Sequence, residues 1–153
     1  MKIRTLSIVL LAGCCVLLAN SAKAQARSVK ILKFEVDGKE VRKGFKVLLY
    51  IGGKTIEPAR TGNSFVVPPE VQGHENIGVR FLSGKYDLLF DSVHVSKFNT
   101  DWIIGIDNKP FDAENISSEE PDPPGRQLLV IHYISFVPKD GGDGTRMIVK
   151  VYK

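Results

Sequence analysis

The stretch that decides the fold reads LKFEVDGK, at residues 32–39. Apolar Leu32, Phe34 and Val36 alternate with charged residues, and this period of two is typical of a strand with one buried face. An Asp-Gly pair follows at 37–38, and it favours a type I′ turn because both central residues of that turn need positive φ. The stretch therefore predicts a strand, a tight turn and a returning strand.

The same pattern continues along the rest of the chain, where short apolar runs are separated by turns rich in Gly and Pro. The run 127–137 is nearly apolar throughout, which predicts a central strand covered on both faces. About eight or nine short strands with frequent hairpin signals predict mostly antiparallel sheets. We therefore expect an all-β fold, an antiparallel β-sandwich of immunoglobulin-like architecture, with a β-barrel as the alternative. The Cys-Trp-Cys signature of true immunoglobulin domains is absent, so the likeness is one of architecture.

The first 24 residues have the three parts of a secretory signal peptide: a basic start, an apolar run at 6–19 and small-residue cleavage sites. Cleavage is expected before Gln25 or before Arg27. The apolar run is shorter than the roughly 20 residues of a transmembrane helix. We therefore predict a signal peptide at 1–24, a single all-β domain at 25–153, and a secreted or periplasmic protein.

A second interpretation of the same segment is a lipoprotein signal. Residues 11–14 read LAGC, which resembles the lipobox in which the cysteine, here Cys14, is lipidated. The apolar residues 15–19 that follow argue against this, because a lipoprotein turns polar directly after its cysteine. A membrane-anchored lipoprotein is kept as the alternative, and a lipid anchor is the one membrane contact expected.

The net charge and the cysteine content of the processed chain depend on removal of the predicted signal peptide. Both cysteines, Cys14 and Cys15, lie in it, so the processed domain must be stable through its core alone. The net charge of +4 includes three basic residues of the leader, Lys2, Arg4 and Lys23. The processed chain is close to neutral, and nothing in its charge favours a nucleic acid as partner.

Few residues suggest chemistry, and no catalytic motif or cofactor-binding motif is recognisable. His94 and His132 each stand between apolar residues, so we expect them on strands, facing either solvent or an edge of the core. They are weak candidates for a metal or acid–base site if those two strands pair. Asp140 and Asp143 lie in a glycine-rich turn and are weak candidates for calcium ligands. The acidic, Pro-rich stretch 107–126 predicts a long surface loop.

We therefore predict an exported, non-enzymatic module that binds, or is a structural part of, the cell envelope or extracellular space. Its expected partner is a protein, a glycan or an envelope component, and no cofactor is expected. One alternative is a small secreted hydrolase or metal-dependent enzyme using the strand histidines. Another is a β-barrel carrier of an apolar ligand, with an interior lined by the aromatic residues Phe81, Tyr86, Phe90, Trp102 and Tyr133.

Overall fold

A computed structural model describes residues 26–41, 44–108 and 123–153. The predicted signal peptide, Cys14 and most of the predicted loop 107–126 lie outside these residues. The strands are β1 Ser28–Val36, β2 Lys39–Glu40, β3 Lys46–Ile51, β4 Lys54–Ile56, β5 Arg60–Thr61, β6 Ser64–Val66, β7 Asn76–Ser83, β8 Tyr86–His94, β9 Asp101–Asp107, β10 Leu128–Val137 and β11 Thr145–Tyr152. Two short 3-10 helices, η1 Pro69–Val71 and η2 Val95–Asn99, complete the described elements.

The strands form two sheets. The larger has the order β11-β10-β9-β1-β6-β5, with β2 also beside β1, and the smaller has the order β4-β3-β7-β8. The predicted all-β class is confirmed, and the pairs are antiparallel apart from β1 with β9. Among the described strands, β11 and β5 are the edges of the larger sheet and β4 and β8 are the edges of the smaller one, so these strands do not close into a barrel. The β-barrel alternative is therefore wrong, and two layers around one core are consistent with a β-sandwich. Among the described residues, no helix has the length and apolar character needed to cross a membrane.

The first strand contains an irregularity that the sequence pattern did not predict. Its pairing with β9 shifts register between Ile31 and Lys33, so one extra residue is inserted at this point. As a result Ile31 and Phe34 are both buried, whereas Leu32 is 38% exposed. The expectation that Leu32 shares the buried face with Phe34 is wrong because the bulge reverses the alternation at this residue.

The core lies between the two sheets and is rich in aromatic rings. Phe34 of the larger sheet meets Phe81 of the smaller one at a centroid distance of 5.2 Å. Trp102 is fully buried and contacts the rings of Phe98 and Phe136 at 5.1 and 5.9 Å. Each fully buried apolar side chain contributes roughly 1.5–3 kcal/mol. Burial on this scale explains how a domain can be stable without a disulfide.

The predicted hairpin at the start of the domain is confirmed. Asp37 and Gly38 have φ values of 50° and 73°, as a type I′ turn requires, and β1 pairs with β2 across them.

Candidate functional site

His94 lies at the end of β8 and has a structural contact. Its Nδ1 accepts a hydrogen bond from the backbone N–H of Ser96 at 3.2 Å and lies 2.8 Å from the Ser96 hydroxyl. These contacts cap the N-terminus of η2, where backbone N–H groups have no partner within the helix. The side chain is exposed, which is one of the two expected positions.

His132 lies in β10, on the face that meets the smaller sheet. It shares this face with the core residues Ile134 and Phe136, whereas Ile131 and Tyr133 point to the outer face. His132 is partly buried and therefore lies at an edge of the core and not on a solvent-facing side of the strand. Burial lowers the pKa of His132, and the nearby charge of Asp87 opposes this shift only in part.

The two histidines therefore do not come from paired strands. β8 pairs with β7 in the smaller sheet, and β10 pairs with β9 and β11 in the larger one. A shared metal or acid–base site required these two strands to pair with each other, and they do not.

Asp140 and Asp143 lie in the exposed connection between β10 and β11. The Asp140 carboxylate accepts a hydrogen bond from the backbone N–H of Gly142 at 3.2 Å, which closes a local turn. Among the described residues, no three His, Cys, Asp or Glu side chains are grouped so that they could hold a metal ion.

The aromatic residues proposed for a carrier have two locations. Phe81, Phe90 and Trp102 are fully buried core residues, and Tyr86 is partly buried against the same core. Tyr133 lies on the other side of the larger sheet. These five side chains therefore do not line one enclosed interior.

The outer face of the larger sheet carries a cluster of polar side chains, called here the Glu35 cluster: Lys33, Glu35, Tyr133 and Arg146. The Tyr133 hydroxyl donates a hydrogen bond to Glu35, and Lys33 Nζ lies 2.5 Å from the same carboxylate. The Arg146 guanidinium lies 4.5 Å from the centre of the Tyr133 ring. Glu35 and Tyr133 are both buried although they face away from the main core.

This environment shifts two pKa values. Burial raises the pKa of Glu35, but hydrogen bonds from Lys33 and Tyr133, with the charges of Lys33 and Arg146, outweigh burial and lower it overall. Burial raises the pKa of Tyr133, and its hydrogen bond to the Glu35 carboxylate raises it further. The pair is therefore an ionised carboxylate held by a neutral phenol at neutral pH.

A groove of about 440 Å³ lies beside the bulge of β1. Two backbone hydrogen bonds join residues that line it: the Ile31 N–H donates to the carbonyl of Asn63, and the Val41 N–H donates to the carbonyl of Phe34, both at 2.7 Å. This β1 groove is lined by Ile31, Leu32, Lys33, Phe34, Glu40, Val41, Gly44, Phe45 and Asn63. Its volume lies within the range of small-ligand sites, and its lining mixes apolar side chains with polar ones.

Sequence reasoning found neither the Glu35 cluster nor the β1 groove. One signal was available for the cluster: Gly105 inside the apolar strand β9, because a strand glycine often marks the close approach of another group. Searches against protein families, curated proteins and solved structures find no match for this chain. Its function is therefore argued from its own residues.

Proposed function

We propose that this chain is an exported, non-enzymatic β-sandwich module that binds a protein or glycan of the cell envelope or extracellular space through the β1 groove. The observation that carries the proposal is the groove itself. It is a concave site at a bulge, and it places the exposed side chain of Leu32 beside the polar groups of Lys33 and Asn63. Apolar contact area with a few orienting polar groups is the usual composition of a binding site.

Export is supported by the leader-like residues 1–24. The immunoglobulin-like arrangement belongs to the same proposal, and the two facing sheets around a shared core support it. No observation on the described residues specifically favours the enzyme or the carrier alternative, so a second function is not proposed.

The export half of the proposal is tested by expressing the whole chain in a secreting bacterium and measuring the mass of the processed N-terminus. A chain beginning at Gln25 or Arg27 supports soluble release, and a lipid-modified Cys14 supports the lipoprotein alternative. A full-length chain that stays in the cytoplasm contradicts export.

The binding half is tested with Leu32→Ser and with Leu89→Ser as a matched control. Leu89 is 43% exposed, close to the 38% of Leu32, but it lies on β8 in the other sheet. The chain from Gln25 onward is applied to a glycan array and cross-linked to envelope and culture fractions. Losing the apolar contact of one partly exposed leucine costs on the order of 1 kcal/mol, about fivefold in affinity.

We expect Leu32→Ser to weaken capture by about this factor and Leu89→Ser to leave it unchanged. Equal capture by the two variants would place the binding surface elsewhere. Turnover of a small substrate by the purified chain would contradict the non-enzymatic part of the proposal.

A further inference from the structure

The strand pairing of β1 is interrupted where the β1 groove lies. In the pairing with β9 the register shifts between Ile31 and Lys33, so Leu32 has no partner residue there. On the other side of β1, the strand pairing with β6 ends at Lys30 and the pairing with β2 begins at Glu35. A bulge places its extra residue outside the regular ladder. Peptide groups that the ladder does not use can bond to water or to the backbone of a ligand.

Among the described residues that line the groove, the two aromatic rings offer no free face. Phe45 stacks on Phe81 at a centroid distance of 5.4 Å, and the Arg60 guanidinium lies 4.3 Å from the centre of the same ring. Two groups this close cannot share one face, so both faces of Phe45 are occupied. Phe34 is 5% exposed and packs against Phe81 and Tyr86. A sugar packs its C–H groups on the free, negative face of an aromatic ring, so this lining favours a peptide over a glycan.

The apolar part of the groove suits a single side chain of a ligand. Leu32, Val41 and Phe45 line the groove, and each of them is at least partly exposed. An apolar side chain that packs on them leaves water, which is favourable. A peptide supplies both such a side chain and a backbone that can bond to the main chain beside the bulge.

The chain beside the groove is basic. Residues 39–43 read KEVRK, three basic residues against one acid, and Val41 of this stretch lines the groove. The Arg60 guanidinium adds a further positive charge over the ring of Phe45. This excess of positive charge is complementary to Asp and Glu side chains, and it attracts an acidic chain.

We propose that the β1 groove binds a short linear peptide segment of a partner protein, with one apolar side chain in the groove and acidic residues on either side of it. The inference rests on the proposed function and narrows its partner from a protein or glycan to an acidic peptide segment. The apolar residue of the segment packs on Leu32 and Val41, and a carboxylate lies near Arg60.

Two arrays of probes test the chemistry of the partner. The chain from Gln25 onward is applied to a peptide array and, in parallel, to a glycan array. The peptides carry one central apolar residue flanked by Asp and Glu, and matched sets replace these acids by Asn and Gln or by Lys and Arg. We expect capture by the acidic set, weaker capture by the amide set and none by the basic set. Added salt should weaken the capture, since it screens exposed charges.

Variants tie the capture to the groove, with fluorescence anisotropy of one captured acidic peptide as the measurement and circular dichroism as the check on folding. Arg60→Gln removes one exposed charge and should weaken binding about 2- to 5-fold, whereas Arg60→Lys should retain it. Lys54→Gln is the matched control, because Lys54 is also exposed but lies in β4 and lines a different pocket. Leu32→Ser should weaken binding about fivefold, and Leu89→Ser should leave it unchanged.

The outcomes separate this inference from the proposed function. Capture of glycans without capture of peptides overturns the inference and leaves a binding module in place. Capture of neither class overturns both. Equal capture of the acidic and basic sets overturns the inference, as does acidic capture that Leu32→Ser or Arg60→Gln leaves unchanged.

Discussion

Replacing Gly105 with alanine tests how the Glu35 cluster is built. Gly105 in β9 lies directly opposite Tyr133 in β10. A Cβ at Gly105 would overlap Cζ and the hydroxyl of Tyr133 and would lie 2.6 Å from its Cε1. Because the ring is rigid and buried, it must leave its site, and its hydrogen bond to Glu35 is broken.

The cost follows from what the displaced ring loses. A hydrogen bond to a charged group is worth about 1.5–3 kcal/mol, and the lost burial of the ring adds about 1–3 kcal/mol, part of the cost of aromatic truncations. Part of this loss is offset, because alanine lowers the conformational entropy of the unfolded chain and so stabilises the folded state by about 0.4–1 kcal/mol. Together these contributions predict that Gly105→Ala lowers the free energy of unfolding by about 1.5–5.5 kcal/mol, a large part of the 5–15 kcal/mol of a typical domain. Urea unfolding followed by the fluorescence of Trp102, the one tryptophan of the chain, measures it.

Two controls separate the clash from the general effect of replacing a glycine. A Cβ at Gly44 would meet no atom within 4 Å, so Gly44→Ala should not lower the free energy of unfolding and should raise it by up to about 0.4–1 kcal/mol, because alanine restricts the unfolded chain. Tyr133→Leu removes the obstructing ring, so Gly105→Ala should cost much less in that background. A loss below about 1 kcal/mol for Gly105→Ala alone would refute the reasoning.

Three pH dependences follow from the shifted pKa values, each measured as the urea midpoint across pH. The folded-state pKa of Tyr133 is raised above 10.0, so the wild type should lose stability as pH rises above 10, and Tyr133→Phe should remove this slope. The pKa of Glu35 is lowered from 4.5, so stability should fall as pH drops below 4.5, and Glu35→Gln should flatten this acid limb. The pKa of His132 is lowered from 6.5, so stability should also fall as pH drops below 6.5, and His132→Gln should reduce the slope between pH 5 and 7; an unchanged slope in any variant contradicts its assignment.

The local parts of the fold were predictable from the sequence because their signals are local. The Asp37-Gly38 turn specifies its own backbone geometry, and the alternation in β8 continues to His94, as the pattern of Val93 and His94 indicated. The parallel pairing of β1 with β9 was not predictable in this way. Parallel and antiparallel strands show the same period of two. In addition, all four strands of the smaller sheet lie between β1 and β9 along the chain, so no local turn signal links the two strands.

The two faces of β10 were not distinguishable from the sequence, for a different reason. A strand with one wet face shows which residues are buried, but β10 is apolar on both faces, so the pattern does not distinguish them. The sequence therefore left open whether His132 faces solvent or an edge of the core, and in the structure it faces the smaller sheet. The same ambiguity concealed the outward position of Tyr133, and with it the partner of Glu35.

The Glu35 cluster connects the β1 groove with the edge strand β11. Lys33 belongs to the β1 groove and contacts Glu35, Tyr133 donates to Glu35, and Arg146 of β11 lies over the Tyr133 ring. Burying an ionised group lowers stability unless its partners hold it, and Lys33, Tyr133 and Arg146 are the groups that stabilise the ionised Glu35. The outer face of the larger sheet is therefore ordered by one row of contacts, which runs from the wall of the groove to the edge strand.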